Sequence, residues 1–309
     1  MKAVRFHQYG ASDVLIHEDV DTPTPGPGQV LIKVAATSFN PADAAIRAGY
    51  LQAFLPLGLP HIPGVDVAGT VAGLGPDVTG WAEGDAVVGF LPLTGQGAAA
   101  EYVLAPAAIL AAAPMKADLV DAAALPGAGL TAWQAVFEHA GLTSGQSILI
   151  NGAGGAVGTF AVQLAYRAGA EVTATAGPRS AARLKGHGAA RLIDYTTAPV
   201  VQAAGRRYDA VLNLVPNAAE EAAALAGLVA DGGVFVSATT PAPDNPGRGV
   251  RTVRMAVSSD AAQLAELVSR VDAGDLRIDV ADRRPLADLA EVHRLADLGR
   301  LDGKTVITL

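Results

Sequence analysis

The sequence predicts an α/β protein in which a doubly wound parallel sheet is joined to a smaller β-rich, barrel-like domain. One reason is a strand, glycine turn and helix in a row: Ile148-Leu149-Ile150-Asn151 is an apolar run, Gly152 to Gly158 is rich in glycine, and Thr159 to Ala165 has apolar residues at helical spacing. The surroundings agree, because strand-type and helix-type segments alternate from about Asp118 onward, as a parallel sheet covered on both faces requires. The first hundred or so residues, by contrast, are rich in valine, glycine and proline and carry short alternating segments bounded by turns.

With 309 residues the chain is long for one core, and about two domains are expected. Half of the residues are apolar and 17% are charged, which is ample material for packing and excludes a disordered chain. The start, Met1-Lys2-Ala3-Val4-Arg5, carries charge where a signal peptide needs an apolar core, and no run of about eighteen apolar residues occurs. A soluble, cytoplasmic protein with no membrane partner is expected. Absence of cysteine excludes disulfides, a thiolate nucleophile and cysteine-ligated metals. The six histidines are scattered without metal-ligand spacing, so no metal site is expected. Net charge is −8 and the basic residues form no run, which argues against a nucleic-acid partner.

Taken in order, Ala3–Phe6 reads as a first strand. The loop from Thr22 to Gly28 holds three prolines and leads into a second strand, Val30–Val34. Asp66–Val71 and Asp85–Gly89 follow as strands, and Asp121–Leu125 and Gly129–Phe137 as helices. After the glycine turn come a strand at Glu171–Ala176, a helix near Ser180–Lys185, and strands at Arg191–Ile193 and Tyr208–Val215. A helix over Ala218–Leu228 and a strand at Gly233–Ser237 complete the alternation. Val250–Val257 alternates like an edge strand, guarded by its arginines or paired with its copy in a homodimer. Helices at Ala261–Val271 and Leu286–Leu298 and a last strand at Thr305–Leu309 end the chain.

The glycine turn does not fit the strict G-x-G-x-x-G string, because Val157 stands where the third glycine belongs. Gly152, Gly155 and Gly158 fit a G-x-x-G-x-x-G frame instead. Glycines there let backbone N–H groups approach a dinucleotide pyrophosphate, whose charge the following helix N-terminus favours. A structural strand-to-helix turn is the other reading of the same composition.

Ten short stretches in order resemble the medium-chain dehydrogenase/reductase superfamily and, within it, the zinc-free quinone oxidoreductases related to ζ-crystallin. They include Pro25-Gly26-Pro27-Gly28-Gln29-Val30-Leu31, Asn40-Pro41-Ala42-Asp43, Ile62 to Gly69, Ala123-Ala124-Leu125-Pro126, Gly129-Leu130-Thr131-Ala132, Gly155-Ala156-Val157-Gly158, Ile193-Asp194-Tyr195 and Gly303-Lys304. The resemblance implies a chaperonin-10 (GroES)-like β-barrel built from residues 1–119 and 260–309, and a Rossmann domain at 120–259. Zinc-dependent relatives carry a cysteine after the second strand and a Gly-His-Glu later. Asn40-Pro41 and Gly64-Val65-Asp66 stand there in this chain, so those ligands are absent.

What the resemblance implies at the site is an NADPH cofactor, held by Gly152, Gly155, Ala156, Val157 and Gly158 around the pyrophosphate. Thr175 and Val215 would lie at the strand ends beside it. An acidic residue at the end of the next strand would favour NAD(H), but Thr175 to Ser180 contains none, and Arg179 with Ser180 can serve a 2′-phosphate. Arg179 could equally be a solvated surface arginine, Tyr195 a packing tyrosine rather than a neighbour of adenosine, and Thr131 a helix-start residue rather than a carboxamide contact. Asn40 and Tyr50 are the residues expected to act on the substrate, Asn40 from a turn before Pro41 and Tyr50 as a donor to a carbonyl oxygen or as pocket lining. The implied reaction is hydride transfer to a quinone or an α,β-unsaturated ketone. A 2-enoyl thioester reductase and a non-catalytic, crystallin-like NADPH-binding protein are the alternatives.

Overall fold

The computed structural model describes residues 1–309 apart from the side chain of Pro246, and the chain divides into two compact units. One combines Met1–Gly127 with Ser259–Leu309; the other is Ala128–Ser258.

In the first unit, strands β1 (Lys2–Arg5) and β2 (Ile16–Asp19) pair antiparallel as a ribbon. Its main sheet uses β3 (Gln29–Ser38), β4 (Asp66–Leu74), β5 (Ala86–Phe90), β6 (Tyr102–Pro106) and β7 (Leu110–Ala112). Three helical segments follow in the chain: α1 (Pro41–Arg47), α2 (Leu119–Ala122) and, crossing into the second unit, α3 (Pro126–Trp133). Strands β8 to β13 belong to that second unit, and the first is completed by β14 (Asp282–Pro285) and β15 (Thr305–Thr308). The sheet order is β14-β15-β3-β4-β5-β7, and β6 pairs off this path with the first half of β3, Gln29 to Lys33. Both ends of the chain therefore meet in one sheet: Val306 of β15 faces Ser38 of β3. Val30, Ile32 and Val34 of β3 and Val67 and Val71 of β4 fill one core with Val87, Leu91, Val103 and Leu110.

The first unit continues to Gly127 rather than ending at 119. Helix α2 packs on β3, β4 and β15, and its Asp121 accepts two bonds from Arg283 of β14 at 2.6 and 2.7 Å. Two further differences from expectation have physical causes. Strands β2 and β14 read Ile-His-Glu-Asp and Asp-Arg-Arg-Pro, mostly outside the core, so no apolar alternation marks them. Asn40-Pro41 does not merely turn; Asn40 is the N-cap of α1 and Pro41 its first residue, where a missing N–H costs nothing.

The second unit carries β8 (Ser147–Asn151), β9 (Glu171–Ala176), β10 (Arg191–Asp194), β11 (Tyr208–Asn213), β12 (Val229–Ser237) and β13 (Arg251–Arg254). All five pairings are parallel, in the order β10-β9-β8-β11-β12-β13. Crossovers run through α4 (Ala156–Arg167), α5 (Pro178–Gly186), α6 (Val200–Ala204) and α7 (Ala219–Ala226). The order reverses beside β8, the switch point at which doubly wound sheets open a crevice beyond their strand ends. The expected helix at Gly129–Phe137 is α3 followed by a π-helical stretch, Gln134–His139. Helices α8 (Ala261–Ala273) and α9 (Leu289–Asp297) return to the first unit, where α8 packs on β7.

Candidate functional site

Two groups of residues bear the predicted chemistry, one in each unit. In the second, β8 ends at Asn151 and Gly152 takes φ +87°, a left-handed conformation that favours glycine. Gly158 is required by packing, since a Cβ there would lie 2.4 Å from Ala153 Cα. Gly155 differs: its added Cβ would meet only Gly152 O, at 3.6 Å. The protein leaves space above the N-cap of α4, and that bare backbone is a cradle into which an anion fits.

Three of the other predicted cofactor residues, Thr175, Ser180 and Val215, lie against this turn. Gly152 N–H donates to Thr175 Oγ1 at 2.9 Å, tying the turn to the end of β9. A Cβ on Gly152 would come within 2.9 Å of Val215 Cγ2, and one on Gly154 within 2.9 Å of Ser180 Oγ. Tyr195, more than half exposed, brings its hydroxyl close to Gly177, the N-cap of α5. Arg179 lies exposed in the first turn of α5, and Thr131 is half-buried on α3. Sequence reasoning passes over Arg183, whose Nη2 donates to Gly154 O at 2.9 Å. Its signal is the spacing of four from Arg179, which puts both on one side of α5.

The strand ends beside the turn are cross-linked by amides. Buried Asn213 accepts from Asn151 Nδ2 at 2.9 Å, and its own Nδ2 donates to Val215 O at 3.0 Å. Thr239 Oγ1 donates to Val215 O at 2.8 Å. Asn213 therefore knits β8, β11 and the residues after β12.

In the first unit, Asn40 stands at the end of β3 over a buried polar cluster. Asp66, 0% exposed at the start of β4, accepts from Ser38 Oγ, from Asn40 Nδ2 at 2.8 Å, from Lys304 Nζ at 3.2 Å and from Gly127 N at 2.6 Å. Lys304 Nζ also donates to Asn40 Oδ1 at 2.7 Å and to Phe39 O at 3.2 Å. All three ammonium hydrogens are thus used, which is the condition for burying such a charge. Asp43 Oδ2 accepts from Asn40 N at 2.8 Å and its Oδ1 from Gly64 N at 3.0 Å. Burial raises the Asp43 carboxyl to about 6, against the opposing pull of those two backbone donors. Sequence reasoning misses Asp66 and Lys304 as a pair because 238 residues separate them.

Tyr50 is not part of that cluster. It follows α1, its N–H bonded to Ala45 O at 3.0 Å, and is 80% exposed on a loop that also presents Phe54. His61 and His293 are both buried; burial lowers the first to about 4 and the second, beside Arg47, to about 3.

The chain matches two family models, an alcohol dehydrogenase GroES-like domain over residues 26–115 and a zinc-binding dehydrogenase over 187–307. It is 40% identical to a chloroplastic quinone oxidoreductase of Triphysaria versicolor, over 69% of this chain and 68% of that one. It is 34% identical to the 2-methylene-furan-3-one reductase of Solanum lycopersicum, over 99% and 79%. Among solved structures, the quinone oxidoreductase from Coxiella burnetii superposes with a TM-score of 0.89 at 31% identity, covering 100% of this chain and 99% of that one. A mycobacterial protein solved as a complex with NADPH superposes at 0.86 with 28% identity and full coverage of both.

One of the two models is described as zinc-binding, and the residues here do not fit that ion. The positions that carry the ligands in zinc-dependent relatives hold Asn40, Val65 and Asp66, and the Lys304 ammonium already occupies the place of a cation between Asn40 and Asp66. Among the described residues no group of three or more histidines, aspartates or glutamates could hold a metal. No helix among them is long and apolar enough to cross a membrane. With a GroES-like unit built from both chain ends, a parallel α/β unit with a glycine turn at its switch point, and relatives matched over most of their length, the chain is an oxidoreductase of the medium-chain dehydrogenase/reductase superfamily, in its quinone oxidoreductase group.

Proposed function

We propose that the protein is an NADPH-dependent reductase of quinones or α,β-unsaturated ketones that works without a metal ion. The observation that carries the cofactor reading is the open backbone at Gly155, next to an α5 N-terminus with Arg179 and Ser180 and no carboxylate between Thr175 and Ser180. Phosphates fit such a place, and a 2′-phosphate meets a guanidinium and a hydroxyl there instead of repulsion. NADPH, when bound, supplies the hydride. We propose Asn40 as a contact to cofactor or substrate, Thr131 as a contact to the carboxamide, and Tyr195 as a neighbour of the adenosine end.

The relatives' names support an electrophilic, conjugated carbonyl as acceptor, and the ill-fitting zinc ligands point the same way. Without a Lewis acid to acidify an alcohol, reduction of an already polarised enone or quinone asks least of the protein. Tyr50 is the proton donor we propose for the oxygen that gains charge. For assembly we propose a homodimer joined along β13, the outermost strand of its sheet; light scattering should then give twice the 31.1 kDa chain mass.

The test is single-turnover loss of NADPH absorbance with a quinone, an enone and a 2-enoyl thioester in parallel. Acceleration by the first two and little by the third is expected. Binding of NADPH with no acceleration by any of the three would leave a binding protein, and acceleration by the thioester alone would leave an enoyl thioester reductase.

A further inference from the structure

The glycine turn of the second unit is held by a side chain that lies outside it. Gly152 O accepts from Gly155 N at 3.2 Å, Gly155 O from Thr159 N at 3.0 Å and Ala156 O from Thr159 Oγ1 at 2.9 Å, all within the turn and α4. Gly154 O accepts instead from Arg183 Nη2 at 2.9 Å, a donor 29 residues further along the chain. The carbonyl and N–H of a trans peptide point opposite ways, so with Gly155 N–H turned inward to Gly152, the Gly154 carbonyl faces outward to α5. This is the turn's one Gly-Gly peptide, which no Cβ restrains, and its inward bond stands at the long end of the N–H···O range. The guanidinium bond is charge-assisted and is the stronger of the two. Ser180, three residues earlier on the same side of α5, crowds Gly154 as well, since a Cβ on that glycine would lie 2.9 Å from its Oγ.

We propose that Arg183 is a positioning residue: by holding the Gly154 carbonyl toward α5 it keeps the Gly154–Gly155 peptide from turning over, and with it the first N–H groups of α4 aimed into the cradle at Gly155. A peptide turned over would give up the bond from Gly155 N–H and set two carbonyl oxygens against each other at the start of α4. The first N–H groups of a helix have no acceptor within it, and their direction follows from the residues that lead into it. Arg183 therefore serves the part of a ligand that meets the turn, a pyrophosphate, whether or not a 2′-phosphate is present. In this it differs from Arg179. The consequence for dinucleotides rests on the cofactor reading above; the clamp on the turn does not.

Hydrogen exchange in the ligand-free protein reads the clamp directly. Arg183→Met removes the charge and both donors, and Gly155 N–H should then exchange about tenfold faster, the size of one charge-assisted hydrogen bond, while the amides of β8 keep their rates. Titration reads the consequence. NADPH and NADH should each bind Arg183→Met about tenfold more weakly, and adenosine 2′-monophosphate, which has no pyrophosphate, should bind as before. Arg183→Lys keeps the charge and gives up the planar fork, so it should fall between; where Arg183→Met does not fold, Arg183→Lys should show the same changes at smaller size. A folded variant in which Gly155 exchanges as in wild type, unchanged affinity for both dinucleotides, or weakening of adenosine 2′-monophosphate to the same degree as NADPH would each overturn the proposal. Faster exchange at Gly155 in the variant of a protein that binds neither dinucleotide would instead retire the cofactor reading and leave the clamp standing.

Discussion

The glycine turn of the second unit and the Asn40 cluster of the first solve opposite problems. From Asn151 to Gly158 the work is done by backbone within one contiguous stretch, where left-handed φ, close approach and a helix N-terminus prepare a place for negative charge. Around Asn40 it is done by side chains from Ser38, Asp66 and Lys304, with Gly127 N–H beneath them, and the charges are balanced before any ligand arrives. A local site of this kind tolerates substitution wherever the protein itself leaves room. A cluster assembled from distant segments fails as a unit when one charge is removed.

The largest expected effect is therefore on the cluster. Asp66→Ala leaves a buried ammonium without its counter-ion and should cost about 3–5 kcal/mol in denaturant unfolding, whereas Lys304→Met/Asp66→Asn should recover much of that loss. A double variant as unstable as the single one would show that packing, not charge balance, holds the cluster.

The next concerns acid. His293 is fully buried with both ring nitrogens unpartnered, edge-on to Phe39 with ring centroids 4.9 Å apart. Its folded-state value of about 3 lies below the ordinary 6.5, so the stability it confers is complete above 6.5 and is lost as pH falls toward 3. His61, lowered to about 4, acts in the same sense. Asp43 opposes them: raised to about 6, it binds its proton more readily folded than unfolded, and its contribution declines as pH rises from 3.8 to 6. Because the histidine shifts together exceed that of Asp43, net acid lability is expected. His293→Leu should remove on the order of 4 kcal/mol of it by pH 3, read as a lower pH midpoint of unfolding. An unchanged midpoint would place the acid-sensitive group elsewhere.

The turn itself sharpens the comparison. Gly158→Ala drives a methyl into Ala153 and should cost about 1–3 kcal/mol. Gly155→Ala has room and should cost under about 1 kcal/mol, yet weaken NADPH clearly if the phosphates approach there as proposed. The reverse ranking of stability and affinity would break the distinction between packing and ligand glycines. The smallest expected effect is at Arg179: its change to alanine should weaken NADPH about tenfold and leave NADH nearly unchanged in calorimetric titration. Equal weakening of both would make it an ordinary surface arginine.

What the sequence makes legible follows the same division. The turn, the alternating strands and the missing acidic residue after β9 are each contained in a few consecutive residues, so periodicity and composition reveal them. Arg183 was within reach of that logic through its helical spacing from Arg179. The ion pair of Lys304 and Asp66 was not, because β15 meets β3 only after the whole second unit has been threaded between them. Strand β14 was hidden for another reason: an edge strand of charged residues and proline carries no apolar pattern.

The central claim, hydride transfer from NADPH to a conjugated carbonyl without a metal, is tested most directly by isotope. Chelator-treated protein is given an enone and NADPH deuterated at the transferable position of the nicotinamide, and the product is weighed by mass spectrometry. One deuterium at the β-carbon, at a rate the chelator does not alter, is predicted. A reduced product without deuterium, or a rate that falls with chelation and returns with zinc, would contradict it.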